Sequence, residues 1–168
     1  LLALLLNQNI ALKSFMRAVL LLPWIVPTTL SAIAFWWMYD SQFSIISWVL
    51  VKAGLIGKNI DFLGNSWNAR MSVVAANIWR GIPFVAISLL AGLQTISPAL
   101  YEAAIIDGAT PWQRFRRITF PLLTPIIAIV MTFSVLFTFT DFQLIYVLTR
   151  GGPVNATHLM ATLSFQRA

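Results

Sequence analysis

Residues 18–39 carry no charged side chain, and this run is long enough for a helix to cross a lipid bilayer, which takes roughly 20 apolar residues. Two further apolar runs, at about residues 71–95 and 125–148, each contain a single charge, Arg80 and Asp141 respectively. Across the chain 59% of residues are hydrophobic and only 10% are charged. The sequence therefore predicts an all-α, polytopic integral membrane protein whose three spans form one transmembrane domain over residues 1–168.

The ends of the sequence lack the elements that would close such a bundle. The chain opens on LLALLL, which is too short for a span, and it stops at Gln166-Arg167-Ala168 without a closing element. We therefore expect a fragment that lacks helices at both ends. The opening residues resemble the tail of a truncated helix more than a secretory signal.

Five polar or charged side chains lie inside the second and third predicted spans. Asp141 falls near the outer end of the third span, where a charge costs less than at the centre. A guanidinium near the middle of a span costs roughly 2.5–3.5 kcal/mol on insertion scales. Such groups either line a water-filled pathway, where they could bind a polar solute by hydrogen bonds, or pair with one another between helices. Both interpretations stay open from the sequence for the candidates Asn77, Arg80, Thr138, Asp141 and Gln143.

Residues 97–121, which we call the elbow, form the most densely ionic stretch and separate the second and third runs. Pro98 suits a first helical position and Gly108 can end that helix. Thr110 and Gln113 then match a capping box that opens a second helix, which we expect to stop by Pro121 because its ring cannot continue a helix. The elbow is thus predicted to be two short helices outside the membrane.

Charge alone does not decide which side of the membrane the elbow occupies. If the spans alternate in direction, the elbow shares a side with the gap at residues 7–17, and the loop at residues 40–70 shares the other side with the tail. Lys and Arg are equally numerous on the two sides. The cluster of Arg114, Arg116 and Arg117 inclines the elbow towards the cytoplasm.

Motifs for chemistry are absent from the sequence. It contains no phosphate-binding glycine loop, no nucleophile elbow and no paired-histidine zinc motif, and it has no cysteine and one histidine. Glu102 and Asp107 are five apart, so one helix does not place them on a shared face. The net charge of +6 resides in gaps between apolar runs, which favours loop anchoring over nucleic-acid binding. We expect no catalytic residue, metal ion or cofactor on this chain.

The elbow resembles the EAA signature of permease subunits in binding-protein-dependent ABC importers. The resemblance is carried by Glu102-Ala103-Ala104, Asp107-Gly108-Ala109, Phe115, Ile118 and Pro121. Flanking segments resemble the carbohydrate branch of that family, which moves maltose, trehalose or glycerol phosphate. These segments are Leu22-Pro23-Trp24, Trp79-Arg80-Gly81, Pro83-Phe84, Ala91-Gly92-Leu93-Gln94 and FTDFQLIYVLTRGGPVNAT.

This resemblance implies a type I ABC importer permease fold in a bacterial plasma (inner) membrane, crossing it several times. The chain would form half of the translocation pathway for a sugar, beside a second permease subunit. Two ABC ATPase subunits would bind ATP and Mg²⁺, and an extracytoplasmic sugar-binding protein would deliver the substrate. The elbow would be cytoplasmic and residues 40–70 extracytoplasmic.

The resemblance also assigns roles within the elbow, whose first helix would dock on the ATPase subunit. Its implied coupling residues are Glu102, Ala103, Ala104, Asp107, Gly108, Ala109 and Phe115. The alanines would allow close approach, Glu102 would offer a charge, and Phe115 with Ile118 would pack the second helix beneath the spans. Two alternatives remain: an importer for amino acids or polyamines, and a channel or membrane scaffold whose elbow binds a partner other than an ATPase.

Overall fold

A computed structural model of the chain describes residues 1–8 and 12–168 and is helical throughout, without a strand in those ranges. Residues 9–11, inside the predicted gap at residues 7–17, lie outside the described part. The helices are α1 (Leu2–Asn7), α2 (Lys13–Ile25), α3 (Thr28–Met38), α4 (Ile45–Lys52), α5 (Ser66–Gln94), α6 (Pro98–Ile106), α7 (Pro111–Arg114), a π-helical turn (Phe115–Thr119), α8 (Phe120–Thr140), α9 (Phe142–Leu148) and α10 (Met160–Arg167).

The chain divides into two compact units, and each has its own apolar core. Unit 1 comprises Leu1–Leu22 and Ile82–Val135. Its core is built from α1, the second half of α5 and the start of α8, with Leu6, Leu93 and Leu123 among its buried members. Because this unit contains α6, α7 and the π-helical turn, the elbow is anchored on this core.

Unit 2 comprises Pro23–Gly81 and Leu136–Ala168. Ala32, Ala76 and Leu144 are buried at its centre, and α3 packs along α9. The small alanine side chains let these helices approach closely, as is common between membrane helices. The phenolic oxygen of Tyr39 donates a hydrogen bond of 3.2 Å to the backbone carbonyl of Ser72, which joins the end of α3 to α5.

The predicted first span, residues 18–39, is not one helix. It is divided at Val26 and Pro27 between α2 and α3, which form a bent pair. The physical reason lies at Pro27: a proline disfavours the α conformation in the residue before it and has no N–H to donate. Pro23 is accommodated inside α2.

The predicted second span, residues 71–95, corresponds to α5, which begins earlier at Ser66 and contains Pro83. This helix is long and apolar enough to cross a membrane, and so is the helical stretch Pro111–Thr140. By length and composition the described residues thus offer two such helices, or three if the bent pair α2 and α3 forms one span. The predicted loop at residues 40–70 contains α4 and the first residues of α5.

The expectation that Pro121 ends the second elbow helix is wrong. The helix continues without a break from Pro111 to Thr140 and includes both Pro121 and Pro125. A π-helical turn ends two residues before Pro121, at Thr119, and its wider ring shifts the hydrogen-bond register close to where the proline lacks a donor.

The predicted third span, residues 125–148, is also divided in the structure. It begins before residue 125 and is interrupted at Asp141, which separates α8 from α9. Asp141 is the N-cap of α9, and its Oδ1 accepts a hydrogen bond of 3.0 Å from the backbone N–H of Leu144. An aspartate that satisfies a helix N-terminus in this way favours a new helix start over continuation.

Candidate functional site

The first helix of the elbow, α6, has well-defined ends. Pro98 occupies its first turn, and Asp107 is its C-cap. Gly108 adopts a φ of +74°, and its N–H donates to the carbonyl of Ile105, while the N–H of Ala109 donates to the carbonyl of Ala104. This pair of bonds is a Schellman motif, in which glycine is favoured at the left-handed position. The Asp-Gly-Ala segment therefore makes the tight exit that the sequence predicts.

The side chains of α6 divide into two faces. Tyr101 and Ala104, three residues apart, are half-buried, and Tyr101 packs against the core of unit 1. Glu102 and Ile106, four residues apart, share the opposite face with Ala103, and all three are exposed. Ile106 is 86% exposed. Of the two alanines predicted to contact a partner, only Ala103 lies on the outward face.

The second half of the elbow begins at a capping box that the structure confirms. The backbone N–H of Gln113 donates to the hydroxyl of Thr110 at 3.3 Å, and the N–H of Thr110 donates to the Gln113 side chain at 2.7 Å. Phe115 follows in the π-helical turn and stacks on Trp112, with ring centroids 5.5 Å apart. Ile118 packs against the core of unit 1.

A hydrogen bond that the sequence did not reveal joins the two halves of the elbow. The hydroxyl oxygens of Tyr101 and Thr119 are 2.9 Å apart. Thr119 is buried and is the last residue of the π-helical turn. Tyr101 directly precedes Glu102 in the sequence, but no local pattern indicates a partner eighteen residues away.

In unit 2, Arg80 connects two of the helix interruptions. Its Nη1 donates to Oδ2 of Asp141 at 2.7 Å, and its Nη2 donates to the hydroxyl of Thr28 at 2.6 Å. Thr28 begins α3 directly after the break at Pro27, and Asp141 is the break between α8 and α9. The side chains of Arg80 and Asp141 are 23% and 14% exposed, so the pair is largely removed from solvent. Arg80 therefore holds two interrupted helices to α5.

A second polar pair lies on the same helices. Asn77 donates from its amide nitrogen to the hydroxyl of Thr138 at 3.1 Å. Gln143, in contrast, is exposed on α9. Four of the five predicted pathway side chains are thus brought together in two hydrogen-bonded pairs. The sequence missed Thr28, whose role as an acceptor arises only from the packing of α3 near α5.

Unit 2 contains an open cleft of about 660 Å³ that is lined by both apolar and polar side chains, among them Trp36, Thr149 and Arg150. None of the five predicted pathway residues lines it. Within residues 1–8 and 12–168, the structure contains no group of three or more His, Asp or Glu side chains placed to hold a metal ion.

Curated relatives with similar sequences are named as permease proteins of transport systems. The chain is 39% identical over 163 residues to a trehalose/maltose transport system permease protein of Thermococcus litoralis, which covers 97% of this chain and 55% of the relative. It is 37% identical over 160 residues to a sulfoquinovosyl glycerol transport system permease protein of Agrobacterium fabrum, with 95% and 51% covered. The chain spans about half the length of these relatives.

Solved structures agree on the fold. The crystal structure of a bacterial ABC transporter that imports the acidic polysaccharide alginate matches 98% of this chain and 58% of its own, with a TM-score of 0.84 and 26% identity. The alginate transporter in complex with its pentasaccharide-bound periplasmic protein matches with a TM-score of 0.80 and 28% identity. The expected all-α permease fold is therefore confirmed. The family model described as the inner membrane component of binding-protein-dependent transport systems matches residues 1–168, and the chain belongs to this family of integral membrane proteins.

Proposed function

We propose that this chain forms half of the translocation pathway of an ATP-driven sugar importer and is coupled to an ATPase subunit through the elbow. The observation that carries the proposal is the outward face of α6. There Glu102, Ala103 and Ile106 are exposed on a helix whose other face is fixed to the core of unit 1.

An aliphatic side chain as exposed as Ile106 gains by being covered, and Ala103 beside it lets a partner backbone approach closely. Glu102 supplies a charge that an arginine or a hydroxyl of the partner can bind. The Schellman motif at Gly108 then fixes the exit of the chain, so that a force on α6 is not lost in a loose turn. These features suit a helix that binds an ATPase subunit and transmits its movement to the membrane helices.

The sugar class is supported by the relatives, since the named transport systems carry trehalose/maltose, sulfoquinovosyl glycerol or alginate. We propose Asn77, Arg80, Thr138, Asp141 and Gln143 as the polar side chains of the pathway. Amide, hydroxyl, guanidinium and carboxylate groups all bind sugar hydroxyls by hydrogen bonds. In the present arrangement four of them satisfy one another, so a passing sugar would exchange those bonds for its own.

The partners in this proposal are a second permease subunit, two ABC ATPase subunits and an extracytoplasmic sugar-binding protein. ATP and Mg²⁺ would be bound by the ATPase subunits, and this chain would supply no catalytic residue and bind no cofactor. It would cross the bacterial plasma (inner) membrane several times, with residues 97–121 cytoplasmic and residues 40–70 extracytoplasmic.

Co-purification from membranes and uptake of labelled sugars test the proposal together. Glu102→Lys reverses the charge on the outward face, and Gly108→Val strains the exit because valine disfavours a positive φ. Both variants should lose ATPase association and uptake. Gly54 offers a matched control, since its φ is +72° after α4 and an added Cβ there, as at Gly108, has nothing within 4 Å.

We expect Gly54→Val to keep ATPase association, because it strains an equivalent turn away from the elbow. Full ATPase association and full uptake in both elbow variants would overturn the proposal. If the unmodified transporter binds the ATPase subunit but takes up labelled amino acids or polyamines in place of sugars, only the substrate class would be wrong.

A further inference from the structure

We propose that the hydrogen bond between Tyr101 and Thr119 is the link through which movement of α6 reaches the long helix Pro111–Thr140. Tyr101 and Thr119 would then be positioning residues for coupling. This inference rests on the proposed function, since it names the residues that transmit what the docked elbow receives. The resemblance that identifies the elbow does not name either residue.

The two side chains lie on the two elements that this bond would couple, Tyr101 on α6 and Thr119 on the long helix. Tyr101 lies on the inward face of α6, away from Glu102 and Ile106, so a protein docked outside would not displace it. Thr119 is 5% exposed, and its hydroxyl lies 2.9 Å from that of Tyr101. Breaking this bond is costly on the Thr119 side, because its buried hydroxyl would be left without a partner.

Three other threonines of the same continuous helix behave differently, although Thr138 also has a partner on another helix, Asn77. Thr124, Thr132 and Thr140 each donate their hydroxyl to the backbone carbonyl four residues earlier, at 2.9 Å. This back-bond is the default for a threonine in a membrane helix. Thr119 instead bonds across to α6. It does so from the π-helical turn, in which the carbonyl of Phe115 accepts the N–H of Phe120, five residues later, in place of the usual partner four residues later.

The position of the bond along the helix also matters. Pro121 and Pro125 lie two and six residues after Thr119 and contribute no backbone N–H, so this part of the helix has fewer internal hydrogen bonds to hold it in place. The hydrogen bond from Tyr101 of α6 therefore holds the long helix at a point where it has fewer backbone hydrogen bonds of its own. Displacement of α6 would then carry Thr119 with it.

The test uses the assembled transporter in proteoliposomes and measures sugar taken up per ATP hydrolysed, alongside the amount of ATPase subunit bound. Tyr101→Phe and Thr119→Val each delete one hydroxyl and retain the side-chain shape. We expect each to keep ATPase association and to lower the uptake per ATP about fivefold, which corresponds to one hydrogen bond of ordinary net strength. Thr119→Ser should restore the ratio, and Thr124→Val, which removes only a back-bond, should leave it unchanged.

If a single variant fails to assemble, the double variant Tyr101→Phe with Thr119→Val gives the ratio, because it leaves no unpaired hydroxyl. The inference is overturned if these variants keep the wild-type ratio, or if uptake falls only in proportion to the ATPase bound. Failure of the proposed function looks different: the unmodified transporter itself would then bind no ATPase or take up no sugar.

Discussion

Replacing Arg80 with leucine should destabilise the protein strongly, because Arg80 joins Asp141 and Thr28 at two helix interruptions. Removing one member of a buried ion pair typically costs 3–5 kcal/mol, since the other charge is left without compensation. With Arg80 and Asp141 at 23% and 14% exposure, we expect the lower end, about 3 kcal/mol. For a chain of this size that is a fall of about 6–12 °C in Tm.

The second step of the same test is a rescue. Asp141→Asn added to Arg80→Leu removes the uncompensated charge, while an asparagine oxygen can still accept the N–H of Leu144 at the start of α9. The double variant should therefore be about 2 kcal/mol more stable than Arg80→Leu alone. If Asp141 did not interact with Arg80, the changes in the free energy of unfolding caused by the two substitutions would simply add.

Thermal unfolding of the purified protein in detergent, followed by tryptophan fluorescence, measures these differences. Arg70→Leu is the control, since Arg70 is an exposed arginine of the same helix and donates to the backbone carbonyl of Ala156, not to a buried carboxylate. It should shift Tm far less. A wild-type Tm for Arg80→Leu, or a further loss of stability in the double variant, would refute the reasoning that Arg80 holds the interrupted helices together.

Three further predictions concern other parts of the chain. Gly92→Val should be about 1–3 kcal/mol more destabilising than Gly81→Val in the same unfolding assay, because a Cβ at Gly92 meets side chains of α8 within 3 Å whereas one at Gly81 has nothing within 4 Å. Thr110→Ala should weaken the capping box by about 1 kcal/mol and speed amide exchange at the start of α7. The backbone N–H groups of Gln42 and Phe43 donate hydrogen bonds to the Asp40 carboxylate and lower its pKa below 3.8. These bonds contribute fully to stability above pH 3.8, and the contribution is lost as the pH falls through the lowered pKa. The exchange protection factor of the Phe43 amide should drop over that range, and in Asp40→Asn it should not vary with pH.

Local signals in the sequence predicted the local structure of the elbow well. The capping box at Thr110 and Gln113 is confirmed, and the helix that starts at Pro98 ends at a glycine with a positive φ, as glycine after a helix predicts. These features depend on a few neighbouring residues, so they can be predicted from the sequence without knowledge of the fold. The composition likewise predicted the all-α membrane fold, because long apolar runs leave little else that satisfies the backbone in lipid.

Predictions failed where the helical hydrogen-bond register changes and where distant residues decide the outcome. Pro121 was expected to end a helix, but a π-helical turn before it lets the helix continue. Asp141 was placed inside a span and instead begins α9, held by Arg80 from sixty-one residues away. Thr28 has no sequence signal as a partner of Arg80. Such pairings follow from helix packing, which periodicity and propensity do not encode.

Proximity between α6 and an ATPase subunit is the central claim, and cysteine cross-linking measures it most directly. The sequence has no cysteine, so a single one can be introduced at Ile106, on the outward face, or at Ala104, on the inward face. With a short cross-linker in native membranes, we predict a covalent product with the ATPase subunit from the Ile106→Cys variant and little or none from Ala104→Cys. Equal cross-linking at the two positions, or none at Ile106, would contradict the account.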